Sequence, residues 1–123
     1  VSDAIFSAAD TAALMQRMDR AFGGSAADFA RYFPVPGMAH CSGGPSTDQF
    51  DALTPLVRWV EYGEPPDGLP ARARGPGNAG GVNTEVPADW APGRTRTLCR
   101  WPTVSRYKGS GSVDDAASYT CAP

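Results

Sequence analysis

No stretch of these 123 residues approaches the roughly 18 consecutive apolar residues that a membrane-spanning helix needs, and the amino-terminal residues lack the basic-then-apolar order of a secretory leader. Charge of one sign is equally scarce. Eleven Lys and Arg stand against 13 Asp and Glu, the net charge is -2, and both signs are spread along the whole length. That removes the basic patch on which nucleic-acid and anionic-membrane binding rest, so neither partner is expected. Histidine occurs once, at His40, and lysine once, at Lys108. Cysteine occurs three times, at Cys41, Cys99 and Cys121, and an odd count leaves one thiol without a partner inside the chain. No Gly-x-Ser-x-Gly segment is present, so that form of serine nucleophile is missing. The chain also opens on Val1 rather than methionine, which suggests that residues upstream were removed.

What is present reads as regular structure first and irregular structure later. Ser7-Ala8-Ala9-Asp10 forms a capping box. Leu14, Met15, Met18, Ala21 and Phe22 then recur at helical spacing until Gly23-Gly24, which predicts a helix over about residues 8–22. The aromatic-rich run Phe29–Val35 predicts a short strand, with Pro34 near the sheet margin. A second capping box, Ser46-Thr47-Asp48-Gln49, followed by Phe50, Leu53, Leu56, Val57 and Val60, predicts a second amphipathic helix ending at Gly63. Pro55 falls inside that span, at a cost of roughly 3 kcal/mol unless the helix is kinked or restarted there.

Glycine (14) and proline (12) concentrate after residue 62, so residues 64–98 read as a wrapping segment without structure of its own. Beyond Cys99, Val104–Tyr107 predicts a strand, and Ser112–Asp115 can cap one helical turn. Cys99 and Cys121 bracket this compact tail and are the natural pair. Closing a loop of that size is worth about 3 kcal/mol in the chain-entropy model. Cys41 is then left over.

The chemistry concentrates between two glycine turns, in Pro36-Gly37-Met38-Ala39-His40-Cys41-Ser42-Gly43-Gly44-Pro45. A lone histidine is more often a hydrogen-bonded structural residue than a catalyst. Here it follows an apolar strand on a short loop, where a hydrolase keeps its general base. Asp3 precedes it by 37 residues, with one predicted helix and one predicted strand between them. In α/β-hydrolases the acid follows one late strand and the histidine the next, so Asp3 suits the acid position. Its carboxylate would hold the imidazole in the tautomer able to accept a hydroxyl proton. The bland alternative for Asp3 is a helix-entry aspartate. A zinc site from His40, Cys41, Cys99 and Cys121 has the right ligand types, but it lacks the paired ligand spacing of a zinc module, so no metal is expected. Met15 and Met18 read as helix-face packing, and Trp59, Trp90 and Trp101 as packing too. Arg94 and Arg96 could grip a carboxylate, although solvation is the simpler reading.

Taken together, Gly37–Pro45, Asp48-Gln49-Phe50-Asp51-Ala52-Leu53, Trp59-Val60-Glu61, Arg94–Cys99 and Arg106–Gly111 resemble the carboxyl-terminal part of the tannase and feruloyl esterase family. The resemblance implies an α/β-hydrolase with a large lid inserted upstream, cleaving esters of aromatic acids with a serine, an aspartate and a histidine. It matches Val1-Ser2-Asp3 and Ala4–Ser7 to the family's acid loop, which carries Asp3 over as the triad acid and His40 as the base. It also implies that Cys41 is half of a disulfide whose other half neighbours the serine, which has no counterpart here. The family's serine, oxyanion-hole amides, lid and lid calcium site belong to sequence ahead of Val1, so no cofactor is implied for these residues.

The expected fold is therefore α/β, the carboxyl-terminal part of an α/β-hydrolase: helix, late sheet strand, histidine loop, helix and an irregular disulfide-closed tail. Residues 1–63 would belong to the hydrolase core, 64–98 to the wrapping segment and 99–123 to the tail, all within one domain. The expected function is to supply Asp3 and His40, but not the serine, to a secreted or periplasmic ester hydrolase acting on a small aromatic ester. The isolated chain is expected to be inactive and to self-associate. The alternative is a non-catalytic structural or interaction domain derived from an esterase tail.

Overall fold

The computed structural model describes residues 3–123; Val1 and Ser2, which belong to the predicted acid loop, lie outside the described residues. Helix α1 runs Ala8–Ala21, with the Ser7 hydroxyl accepting from the Asp10 amide at its start. Gly23 and Gly24 follow its end at φ +64° and +89°. The local signals for this helix were sufficient because each acts within one turn.

The predicted strand over 29–35 is not formed. A 3-10 turn at Ala26–Asp28 leads into a segment with no ladder partner among the described residues. Pro34 has no amide hydrogen to give a ladder, and the segment is fixed instead by isolated contacts. The Trp101 amide donates to Tyr32 O at 2.8 Å, and the Arg31 guanidinium reaches Pro66 O and Asp67, both at 2.6 Å.

The second helix starts later than expected. Gln49–Phe50 forms a short strand, β1, and α2 covers Leu53–Tyr62. Asp51, not Ser46, serves its start: its carboxylate accepts from the amides of Leu53 and Thr54 at 2.9 and 3.0 Å. Pro55 therefore lies in the first turn, where its missing donor has no partner to lose, and no kink is needed. Gly63 closes α2 in the left-handed conformation, φ +68°.

The largest departure from expectation lies in residues 64–98. This span contains β2 (Gly68–Arg72) and most of β3 (Thr95–Cys99), which pair antiparallel with Leu69 opposite Leu98. β1 adds to β2 by Gln49 opposite Arg72 and Phe50 opposite Ala71, giving the sheet order β1-β2-β3. Pro70 is tolerated in this central strand because β1 pairs only with Ala71 and Arg72. These strands hold a core of their own: Val35, Leu69, Ala71 and Leu98 are buried together, with Phe33, Met38 and Phe50 packed on them. The chain leading into the histidine loop thus lies on the β2–β3 face.

The tail carries the expected strand and helical turn, but it is not irregular, because a second strand that was not expected completes a ladder with the first. β4 (Val104–Tyr107) pairs antiparallel with β5 (Tyr119–Ala122), and a 3-10 turn at Ala116–Ser118 is capped by Asp115. The Cys99–Cys121 disulfide, with Cα atoms 5.6 Å apart, joins β3 to β5. The result is a mixed helix and strand structure. Neither α1 nor α2 buries a residue, and Leu53 and Val60 on α2 are 69% and 77% exposed.

Candidate active site

The loop over 36–45 turns tightly because its glycines allow it. Gly37 and Gly44 sit at φ +77° and +70°. A Cβ on Gly37 would collide with Pro45 O, and one on Gly44 would collide with Gly37 O and press on the Ala39 amide nitrogen at 3.0 Å. Within the loop, the Ala39 amide donates to Gly43 O at 3.3 Å, and the buried Ser46 hydroxyl donates to the same carbonyl at 2.8 Å. His40 and Cys41 occupy the tip. Cys41 has φ +67°, the one positive value among the described non-glycine residues, and carries a free, exposed thiol.

Asp3 and His40 meet across this geometry. His40 Nδ1 donates to Asp3 Oδ2 at 3.0 Å, while Asp3 Oδ1 accepts from the Ile5 and Phe6 amides at 2.7 and 3.0 Å. The Phe6 ring stands 5.5 Å from the imidazole, centroid to centroid, and covers one side of it. The His40 hydrogen bond, followed by the two amides, lowers the Asp3 carboxyl from 3.8 to about 2. Asp3 thus contacts the turn leading into α1 through one carboxylate oxygen and the imidazole through the other. The side chains are 26% and 43% exposed, and Nε2 of His40 has no hydrogen-bond partner among the described residues. A small hollow of about 170 Å³, lined by Phe6, Tyr32 and Met38 among others, reaches Asp3 but not His40. A larger one, about 630 Å³, opens at Gln49, Arg72 and Arg96 and touches neither residue.

The base of the loop is fastened by residues outside the predicted site. Asp48, read as part of a capping box, is a fully buried carboxylate that accepts the Gly43 amide at 2.8 Å and pairs with Arg74 at 2.6 Å. Burial pushes its pKa up, but Arg74 and the Gly43 amide outweigh that and hold it below the usual range. Gly44 is held at both polar groups: its amide donates to Glu85 at 2.8 Å, and its carbonyl accepts from Asn83 Nδ2 at 2.8 Å. No periodicity or motif marks Asn83 or Glu85, which reach the loop from about 40 residues away. Cys99 and Cys121 are bonded to each other, remote in sequence from the tip. Arg94 is spent on Asp114 at 3.0 Å and on the Trp90 face at 4.1 Å. No group of three or more His, Cys, Asp or Glu is placed to hold a metal among the described residues.

Comparison with known proteins adds relatives to this geometry. A family profile described as tannase and feruloyl esterase matches residues 1–122. A mono(2-hydroxyethyl) terephthalate hydrolase of Piscinibacter sakaiensis is 52% identical over 122 residues, covering 99% of this chain and 18% of that protein. A probable feruloyl esterase of Arthroderma benhamiae is 43% identical over 103 residues, covering 81% of this chain and 17% of that protein. Among solved structures, feruloyl esterase B from Aspergillus oryzae superposes with a TM-score of 0.70 at 27% identity, covering 98% of this chain and 25% of that one. The chain spans about a fifth of the length of the curated relatives it matches.

Proposed function

The chain belongs to the tannase and feruloyl esterase family, and from that premise we propose that it supplies the acid and base of a serine carboxylic-ester hydrolase whose nucleophile lies in other sequence. The observation that carries this reading is the 3.0 Å bond between His40 Nδ1 and Asp3 Oδ2, formed by residues 37 positions apart. With Nδ1–H given to the carboxylate, Nε2 is the nitrogen left to accept a proton. His40 would take the serine hydroxyl proton as the serine attacks the ester carbonyl, then deliver it to the leaving alcohol. In the second half-reaction it would activate water against the acyl-enzyme. Asp3 keeps the ring in its working tautomer and stabilises the imidazolium formed in each transition state.

Cys41, free and adjacent to His40, is the candidate to form a disulfide with a cysteine beside the serine, tying base to nucleophile. Substrates would be esters of aromatic acids, as the names of the terephthalate hydrolase and feruloyl esterase relatives suggest for this chain. The Cys99–Cys121 bond favours an oxidising compartment, secreted or periplasmic. The test is turnover of an aryl carboxylic ester by the full-length protein containing this chain. His40→Ala is expected to lower kcat by about 10³-fold or more, and the isolated chain to show no hydrolysis. An undiminished kcat in His40→Ala, or His40-dependent hydrolysis by the isolated chain, would overturn the reading.

A further inference from the structure

We propose that Glu85, aligned by Asn83, is a positioning residue for His40, holding the histidine loop closed by gripping Gly44. The chain of contact is short. Glu85 accepts the Gly44 amide at 2.8 Å and Asn83 Nδ2 donates to the Gly44 carbonyl at 2.8 Å, so both polar groups of one residue are taken. Asn83 also accepts the Glu85 amide through Oδ1 at 3.0 Å, which fixes the two side chains relative to each other. Asn83 itself is buried, and its amide donates to Arg74 O at 2.8 Å, so the grip is anchored on the arginine that pairs with Asp48.

Gly44 in turn packs so closely on Gly37 O and the Ala39 amide that no Cβ fits there, and Ala39 precedes His40 directly. A shift of Gly44 is therefore passed to the residue that carries the imidazole. Asp48 already secures Gly43 on the neighbouring side. Glu85 makes its contact from an exposed strand-free segment through a charge-assisted bond, which is stronger than a neutral one.

This inference rests on the functional reading above, and its test separates the two. In the full-length esterase, Glu85→Ala is expected to lower kcat by about 10- to 100-fold, the scale of a small misplacement of a catalytic group, with KM within about twofold. Glu85→Gln, which keeps an oxygen acceptor for the Gly44 amide, is expected to retain most of the wild-type kcat. In a His40→Ala background, Glu85→Ala should cause no further loss, because its effect runs through the imidazole. A normal kcat in Glu85→Ala, or a loss that repeats undiminished in the His40→Ala background, overturns the positioning role while leaving the base assignment intact. An undiminished rate in His40→Ala alone overturns the base assignment and the positioning role with it. If Glu85→Ala does not fold, Glu85→Asp keeps the charge and shortens the reach by one methylene. It should show the same pattern at smaller size, and a wild-type kcat there counts against the proposal.

Discussion

Asp3 holds its charge far below the pH at which an ordinary aspartate gains a proton, and the reason can be measured atom by atom. Its carboxyl is lowered to about 2, first by His40 and then by the Phe6 and Ile5 amides. The folded-state value lies below the ordinary 3.8, so this carboxylate contributes stability that is fully present above that value and is lost as pH falls toward about 2. A titration of the Asp3 carboxyl followed by carbon NMR should show a midpoint near 2, and His40→Ala should move it upward, part of the way to 3.8, because the two amides remain. A midpoint unmoved by His40→Ala would mean that the amides alone hold the charge. At this scale residue type and spacing singled out His40 and Asp3, and the structure brings these two side chains into contact. The sequence was silent on Asn83 and Glu85, whose contribution is a side-chain reach of about 40 residues with no local pattern.

Elements were legible in proportion to how locally they are determined. α1 and β4 lie where spacing and caps put them, since every signal for a helix start or stop falls within a turn of the chain. The capping box at Ser46–Gln49 misled because its acidic residue, Asp48, is drawn to Arg74, 26 residues on, and Ser46 is buried against Gly43. The Phe29–Val35 strand failed for the opposite reason, since apolar character makes a strand only where a neighbour offers a ladder. β2 was hidden by Gly68 and Pro70, which mark turns in most contexts but here sit in a strand whose alternating Leu69 and Ala71 face the core. The same logic gives contrasting costs for two glycines of nearly equal φ. Gly63→Ala meets open space and should cost about 1–2 kcal/mol from its left-handed backbone alone. Gly44→Ala adds a collision with Gly37 O and should cost at least about 3 kcal/mol. Urea unfolding of the two variants side by side measures the difference, and equal losses would argue against a close-packed loop.

For the molecule as a whole, apolar side chains are distributed unevenly. The β2–β3 face is buried, whereas Ile5 and Phe6 are each 66% exposed and the apolar face of α2 has no cover among the described residues. Exposed apolar surface of this extent favours association. Sedimentation of the isolated chain should show dimers or larger species whose population rises with concentration, and Leu53→Lys with Val60→Lys should shift it toward monomer. A stable monomer at high concentration would show that these faces are tolerated in water. The disulfide has a different kind of consequence at this scale. Because Cys99 and Cys121 are joined, tension applied at the carboxyl terminus passes through sulfur directly into β3 and its ladder with β2. Residues 100–120 then lie outside the loaded path, so β4 and its turn form a slack loop that cannot lengthen the chain under force, and resistance to pulling belongs to the strands that also seat the histidine loop.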